Sequence, residues 1–265
     1  MTHLYDHAAV SGACFNPRPG PTLPLDGCAR PVDLHLDDGS VLGGLLCCHL
    51  SEAPVLYLLH DTTDIVADFV PYWVDWAHAA GANLFLLDYP GYASSAGTPT
   101  FSSCREAARK GLEFLLKHDA EIPSVVLLGR GLGSVFALDL LSMRSNKVRG
   151  LVLENGLVDV ADWIAERVPW ENTGFKPEDV MAELDQAIMS DLSTQQALEA
   201  ADIPALILYS IENAESAQQL ADWADTNQLE LLQNGDAGSA QQLNRDTYID
   251  ALRRFLADVA PRGTL

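Results

Sequence analysis

A chain of 265 residues, 48% apolar and 20% charged, has the composition of an ordinary globular protein and room for one large core, which excludes a disordered chain. Sixteen Lys and Arg against 37 Asp and Glu give a formal net charge of −21. That charge excludes unaided nucleic-acid binding, which needs a basic footprint, and disfavours anionic membrane surfaces.

Residues 1–30 carry Pro17, Pro19, Pro21 and Pro24 with Gly20 and Gly27, which predicts an irregular arm. Alternation over Val32–Leu36, a turn at Asp37-Asp38-Gly39 and an apolar run Val41–Leu50 predict a hairpin. Pro54–Leu59 reads as a strand buried on both faces, and Asp64–Ala80 as a helix closed by Gly81. A strand at Asn83–Leu87 precedes a helix over Phe101–His118, with Ser102 or Ser103 as its cap. Strand Ser124–Leu128, helix Leu132–Met143 and strand Val148–Leu153 follow. Val158–Val168 and Pro177–Ala200 read as mostly helical. Strand Ala205–Tyr209, helix Ala214–Ala224, strand Leu229–Leu232 and a helix over Ala240–Ala260 complete the chain. Alternating short apolar strands and helices predict a mostly parallel sheet covered on both faces. No linker or repeat is visible, so 31–265 reads as a single α/β domain, with 155–200 as a cap excursion.

Five cysteines, Cys14, Cys28, Cys47, Cys48 and Cys104, include no C-x-x-C pair. Their spacing suggests neither a zinc site nor a disulfide framework, and no metal is expected. Together with the absence of an ~18-residue apolar run and of a signal-peptide pattern at the first residues, they point to an intracellular, cytoplasmic or organellar protein without membrane insertion.

The acid is unevenly placed. Residues 177–244 hold 13 Asp and Glu and no Lys or Arg. This is either a solvated, solubilising face or a docking face for a basic protein partner. A salt-rich cytosol is a third account, since Asp outnumbers Glu 24 to 13 and Lys numbers four. Trp163 and Trp170 in the cap excursion could add to a partner surface.

Residues Val125 to Ser134 (VVLLGRGLGS) run from a buried strand directly into a helix. Glycines two apart in that setting mark a nucleophile elbow of the G-x-S-x-G kind. The central position is Gly131, which has no side chain. A dinucleotide fingerprint is the rival, with Glu154 where the ribose acid would be, but its third glycine is Ser134 and four strands come first.

With these residues and others over about 30–260, the chain resembles α/β-hydrolases of the serine-aminopeptidase and acyl-hydrolase type. Leu58 to Asp68 resembles the H-G-N oxyanion strand end. Asp88-Tyr89-Pro90-Gly91-Tyr92 and the residues to Pro99 resemble the D-Y-R-G-Y-G loop. Gly129 to Ser134 resembles G-R-S-L-G-S, and Leu206 to Ser210 the strand before the acid. The resemblance implies an α/β-hydrolase fold and no cofactor.

It also implies where a triad would stand, and those positions are altered. The nucleophile position is Gly131. The oxyanion loop is His60, Asp61 and Thr62, with Asp61 in place of its glycine. The acid position falls near Asn213, beside Glu212, and the histidine position near Ala237. All seven histidines, the last being His118, precede the elbow, whereas in this fold the base follows the last strand. The expectation is therefore a non-enzyme acting as a structural or interaction subunit of a larger assembly. Contact with other protein chains is expected through the 177–244 stretch, the cap or the arm. The alternatives are an esterase or thioesterase with a rebuilt site, and a small-ligand sensor using the old pocket. Ser134 and Cys104 are the substitute nucleophiles to weigh, and His60, Asp61 and Asp64 the metal ligands. His60 itself reads as structural.

Overall fold

Eight strands form one sheet in the computed structural model, which describes residues 4–21, 27–117, 122–173, 186, 192–226, 228–232 and 245–259. The strands are β1 (Ala29–His35), β2 (Val41–Cys47), β3 (Val55–Leu59), β4 (Asn83–Leu87), β5 (Val125–Arg130), β6 (Val148–Glu154), β7 (Ala205–Ser210) and β8 (Leu229–Leu232). Their spatial order is β1-β2-β4-β3-β5-β6-β7-β8. The first two pairings, β1 with β2 and β2 with β4, are antiparallel, and all others are parallel. The predicted hairpin is therefore the antiparallel edge of an otherwise parallel sheet.

Period-2 alternation splits each strand between two cores. Leu56 and Leu58 of β3 and Val126 and Leu128 of β5 face α2 (Val66–Ala80) and the last helix, α8 (Arg245–Val259). There the Tyr248 ring lies 5.7 Å from that of Trp73 and 5.5 Å from that of Trp76. Val55, Tyr57 and Leu59 of β3 and Val125 and Leu127 of β5 face the opposite core. That core takes in α3 (Phe101–Lys117), α4 (Gly133–Leu141), α5 (Val160–Ala165), α6 (Thr194–Glu199) and α7 (Ala214–Trp223). Both faces are covered, so β3, β4 and β7 are buried at every residue.

Two expectations need correction. The arm is not irregular throughout. Leu4–Asp6 forms a turn of 3₁₀ helix and Ala8–Cys14 forms α1. Tyr5, Val10, Cys14 and Phe15 are buried in the core, and the rings of Tyr5 and Phe15 pack on Phe101 at 5.9 and 5.2 Å. Asp6 also contributes to the start of α3, accepting the Ser102 N–H at 2.8 Å. The cap of α3 is Thr100, whose hydroxyl accepts the Ser103 N–H while Ser103 Oγ accepts the Thr100 N–H. The apolar side chains among the first 15 residues outweigh the prolines that follow them.

The cysteine spacing also concealed a bridge. Cys28 and Cys47 form a disulfide with their Cα atoms 5.0 Å apart. The reason is register. Ala29 pairs with Cys47 across the β1–β2 ladder, which brings the preceding residue, Cys28, against it despite a separation of 19. Much of the cap excursion, His118 and all of 233–244, Ala237 included, lie outside the described residues.

Candidate functional site

The carboxyl ends of β3, β5 and β6 meet at the elbow. After Arg130 the chain reverses through Gly131 at φ +50° and enters α4 at Gly133. A Cβ at Gly133 would lie 2.1 Å from the Leu59 carbonyl oxygen, so only glycine lets the helix approach β3 this closely. The Gly131 N–H donates to the Glu154 carbonyl at 3.0 Å. The strand, turn and helix read from the sequence are thus in place, with a left-handed tip.

The space above that tip is filled by Asp61. A Cβ built on Gly131 would stand 2.3–2.5 Å from the Asp61 carboxylate atoms. Asp61 Oδ1 accepts the Thr62 N–H at 2.8 Å and the Leu132 N–H at 3.0 Å. Leu132 is the residue after the tip and Thr62 lies on the β3–α2 loop, the two places whose amides would make an oxyanion hole at an elbow of the nucleophile kind. One residue supplies both the bulk above the Gly131 tip and the negative charge on the two amides. The sequence flagged Asp61 as a foreign charge beside the hole, but not that it sits in it.

The loop carrying Asp61 is tied down from three sides. His60 is fully buried, and its Nδ1 donates to the Asp61 carbonyl at 2.7 Å. Its ring packs on those of Tyr89 and Tyr92 at 4.1 and 5.4 Å. Burial lowers the His60 pKa to about 4, so the ring is neutral. Asp88, 4.0 Å from His60 Nε2, accepts the Val66 N–H at the start of α2, and its pKa is raised by burial to about 7. The Tyr92 hydroxyl donates to the Thr62 carbonyl at 2.6 Å and accepts the Asn16 N–H at 3.0 Å. Arg18 bonds the Thr63 carbonyl and pairs with Asp68. The arm is thereby laced to the loop.

Beside the tip a buried polar network was not legible in the sequence. Arg130 Nε lies 3.0 Å from Glu154 Oε1, an ion pair whose angle falls short of a hydrogen bond. The Tyr248 hydroxyl donates to Glu154 Oε2 at 2.7 Å. Arg130 also lies 3.4 Å from Asp64 and its guanidinium covers the Phe69 ring at 5.1 Å. Burial raises the Asp64 pKa to about 6, against the pull of Arg130. Glu154 is committed to this network, as a ribose ligand would not be.

These residues surround a cleft of about 290 Å³, lined among others by Asp61, Thr62, Arg130, Gly131 and Glu154. Asn213 and Glu212 do not line it. They are exposed at the start of α7. Ser134 is buried with both hydrogen-bonding roles taken: it donates to the Gly131 carbonyl at 2.7 Å and accepts the Leu157 N–H at 3.0 Å. Cys104 is fully buried, which pushes its thiol pKa far up. His60, Asp61 and Asp64 do not converge as metal ligands, since each faces a different partner. The grouping of Cys and His that does converge among the described residues is Cys28, Cys47 and His49, at the hairpin.

No protein-family profile matches the chain. It is 25% identical over 118 residues to protein bem46 of Schizosaccharomyces pombe, a match covering 44% of this chain and 40% of that one. Over 89 residues it is 30% identical to the alpha/beta hydrolase domain-containing protein WAV2 of Arabidopsis thaliana, covering 33% and 29%. The matches span less than half the length of either relative. Among solved structures, the esterase Pf2001 of Pyrococcus furiosus superposes with a TM-score of 0.70 at 14% identity, over 93% of this chain and 98% of that one. Carboxyl esterase 2 of Tuber melanosporum superposes at 0.63 and 12% identity, over 98% and 100%. Sheet order, elbow and these superpositions agree that the chain has the α/β-hydrolase fold.

Proposed function

We propose that this protein is a catalytically silent α/β-hydrolase fold that works through its surface, as a structural or interaction subunit of a larger protein assembly. The observation that carries this reading is the Asp61 carboxylate on the Thr62 and Leu132 amides. An acyl-transfer intermediate needs those amides for its own oxyanion. A second negative charge brought within about 3–4 Å of the first is opposed by about 4–5.5 kcal/mol at an effective dielectric near 20. That exceeds the roughly 3–4 kcal/mol that one oxyanion donor supplies. No histidine follows residue 118, and neither Ser134 nor Cys104 replaces the missing nucleophile.

A surface role is supported by charge. Of the acids in 177–244, Glu199, Asp202, Glu212, Glu215, Asp222 and Asp225 are exposed among the described residues. A sensor for an apolar ligand fits less well, because Asp61, Asp64, Arg130, Glu154 and Arg167 border a cleft smaller than usual ligand pockets.

The test has two arms. The purified protein is incubated with a fluorophosphonate probe and short acyl nitrophenyl esters, and the native protein is sized in a low-salt extract. The expected results are no labelled serine, no hydrolysis above buffer, and elution well above 28.7 kDa. The large species should dissociate as salt rises to ~0.5 M if the contact is electrostatic. Stoichiometric serine labelling overturns the silent-site reading, and elution as a free monomer with no crosslinked partner overturns the assembly reading.

A further inference from the structure

The hairpin edge gathers a set of soft ligands that the cleft does not use. Cys28 precedes β1, Cys47 ends β2, and His49 stands two residues further on. The two sulfurs and a ring nitrogen of His49 all lie within 4.8 Å of one another. Cys47 Sγ is 3.9 Å from His49 Nδ1. Tetrahedral zinc, with sulfur at about 2.3 Å and nitrogen at about 2.0–2.1 Å, spaces its ligand atoms about 3.5–3.8 Å apart. The observed distance is therefore close to a ligand-to-ligand distance across such an ion. His78, near the end of α2, places its ring edge-on to that of His49 with centroids 4.0 Å apart, which supports the His49 ring without joining the converging group.

The backbone that presents His49 is fixed. Asn83, buried at the start of β4, accepts the His49 and Leu50 N–H groups at 3.1 and 3.0 Å and donates to the Leu50 carbonyl at 2.9 Å. Such support holds a ligand in place before the ion arrives. His49 and His78 are both exposed, so solvent reaches the group. Cys47 pairs with Leu84 at the beginning of β4. The cluster thus lies at the end of the sheet opposite the elbow, independent of any chemistry there.

We propose that Cys28, Cys47 and His49 form a three-ligand zinc-class cation site, its fourth position left to solvent, that is open when the two cysteines are reduced and closed when they are joined. The chemistry balances. A dithiol reductant opens the Cys28–Cys47 disulfide to two thiols and is itself oxidised to a cyclic disulfide. Zinc(II) then displaces one proton from each thiol to solvent and binds the two thiolates and His49 Nδ1, with a water molecule in the fourth position. In the reverse direction hydrogen peroxide takes two electrons from the thiolates. It is reduced to two waters with two protons from solvent, the sulfur–sulfur bond re-forms and zinc(II) is released.

The test uses cobalt(II) and zinc(II) on the full chain, before and after reduction by a dithiol that is removed anaerobically. The reduced protein is expected to take up one cobalt(II) with a thiolate-to-cobalt charge-transfer band and tetrahedral visible absorption. Zinc(II) should displace it. The unreduced protein should show neither signal, and peroxide should release the metal. Cys28→Ser and His49→Ala should each weaken binding by at least about 100-fold, with far-UV circular dichroism confirming that they fold. Cys48→Ser, outside the disulfide, should bind like the parent. Binding that is unaffected by Cys28→Ser, lost in Cys48→Ser, equal in the unreduced protein, or without a sulfur band overturns the proposal.

Discussion

Asp61 Oδ1 and the Leu132 main-chain N–H are 3.0 Å apart, and the same carboxylate would collide with any side chain at Gly131. The two positions are therefore coupled: a small residue at one admits the acid at the other. Gly131→Ser is expected to destabilise the fold by about 1–3 kcal/mol, because the new Cβ must displace the carboxylate and adopt a left-handed backbone. Asp61→Gly in the same chain should recover most of that loss. Urea titration of both single variants and the double variant gives the coupling energy. Additive effects would show that Asp61 does not occupy the space above Gly131.

Neither substitution should create an esterase. Asp61→Gly frees the Thr62 and Leu132 amides and Gly131→Ser supplies a hydroxyl, but without a base that hydroxyl stays protonated and weakly nucleophilic. The double variant is expected to hydrolyse acyl nitrophenyl esters at the rate of buffer. A rate well above buffer would reveal a base within the cleft.

The pH dependence should carry the mark of buried groups with opposite signs. Asp88 has its pKa raised by burial to about 7, so between about pH 4 and 7 the folded state holds a proton that the unfolded state has lost. Its contribution is full below pH 4 and declines as pH rises to 7. His60, lowered by burial to about 4, acts oppositely: the unfolded chain binds the proton between pH 4 and 6.5, so stability rises with pH there. His60 offsets Asp88 up to about pH 6.5, while Asp64, raised by burial to about 6, adds to the decline between about pH 4 and 6. Asp88→Asn keeps an acceptor for the Val66 N–H and removes the titration. The variant should therefore gain stability relative to the parent as pH rises from 4 to 7, by a few kcal/mol at most, measured by denaturant midpoints. A constant difference across that range would mean that Asp88 is not protonated in the folded protein.

The Cys28–Cys47 bridge closes a loop of 19 residues in sequence separation, for which chain entropy predicts a contribution of about 3 kcal/mol. Cys28→Ser is the cleaner probe, since Cys47 is buried and Cys28 half-buried. A loss of about 2–3 kcal/mol is expected without reductant, and almost none when parent and variant are compared under reducing, metal-free conditions. Equal stability in both conditions would mean that the bridge does not form.

What the sequence made legible follows from its periodicities. Strands β3 to β8 and the elbow glycines announce themselves through apolar runs and turn chemistry that need no distant partner. The vacancy at Gly131 and the missing late histidine are equally local facts. The Cys28–Cys47 bridge is not, because it depends on the register Ala29 to Cys47, which a hairpin sequence only approximates. Arg130, Glu154 and Tyr248 come from β5, β6 and α8, and nothing in their spacing shows that they meet. The docking of Tyr5 and Asp6 on α3 spans almost a hundred residues, and prolines nearby argued against order in the arm. Asp61 is intermediate: its identity was a signal, its position on the amides was not.

The network around Glu154 yields the last prediction. Glu154 is 2% exposed, with Arg130 at 3.0 Å and the Tyr248 hydroxyl at 2.7 Å. Removing one member of a buried pair leaves the other uncompensated, which typically costs about 3–5 kcal/mol. Removing a hydroxyl that only donates to it costs about 1.5–3 kcal/mol, the range for bonds to charged groups. Glu154→Ala should thus destabilise the fold by about 3–5 kcal/mol, and Tyr248→Phe by less. Glu154→Gln should fall between them, since an amide still accepts from Tyr248 but no longer offsets the Arg130 charge. Tyr248 also packs against Trp73 and Trp76, so Tyr248→Phe keeps the ring and isolates the hydroxyl. Tryptophan fluorescence during urea unfolding reads all three. If Glu154→Ala proves no worse than Tyr248→Phe, then Arg130 is held by Asp64 and its position over Phe69 rather than by Glu154, and the order of the two carboxylates in the network is reversed.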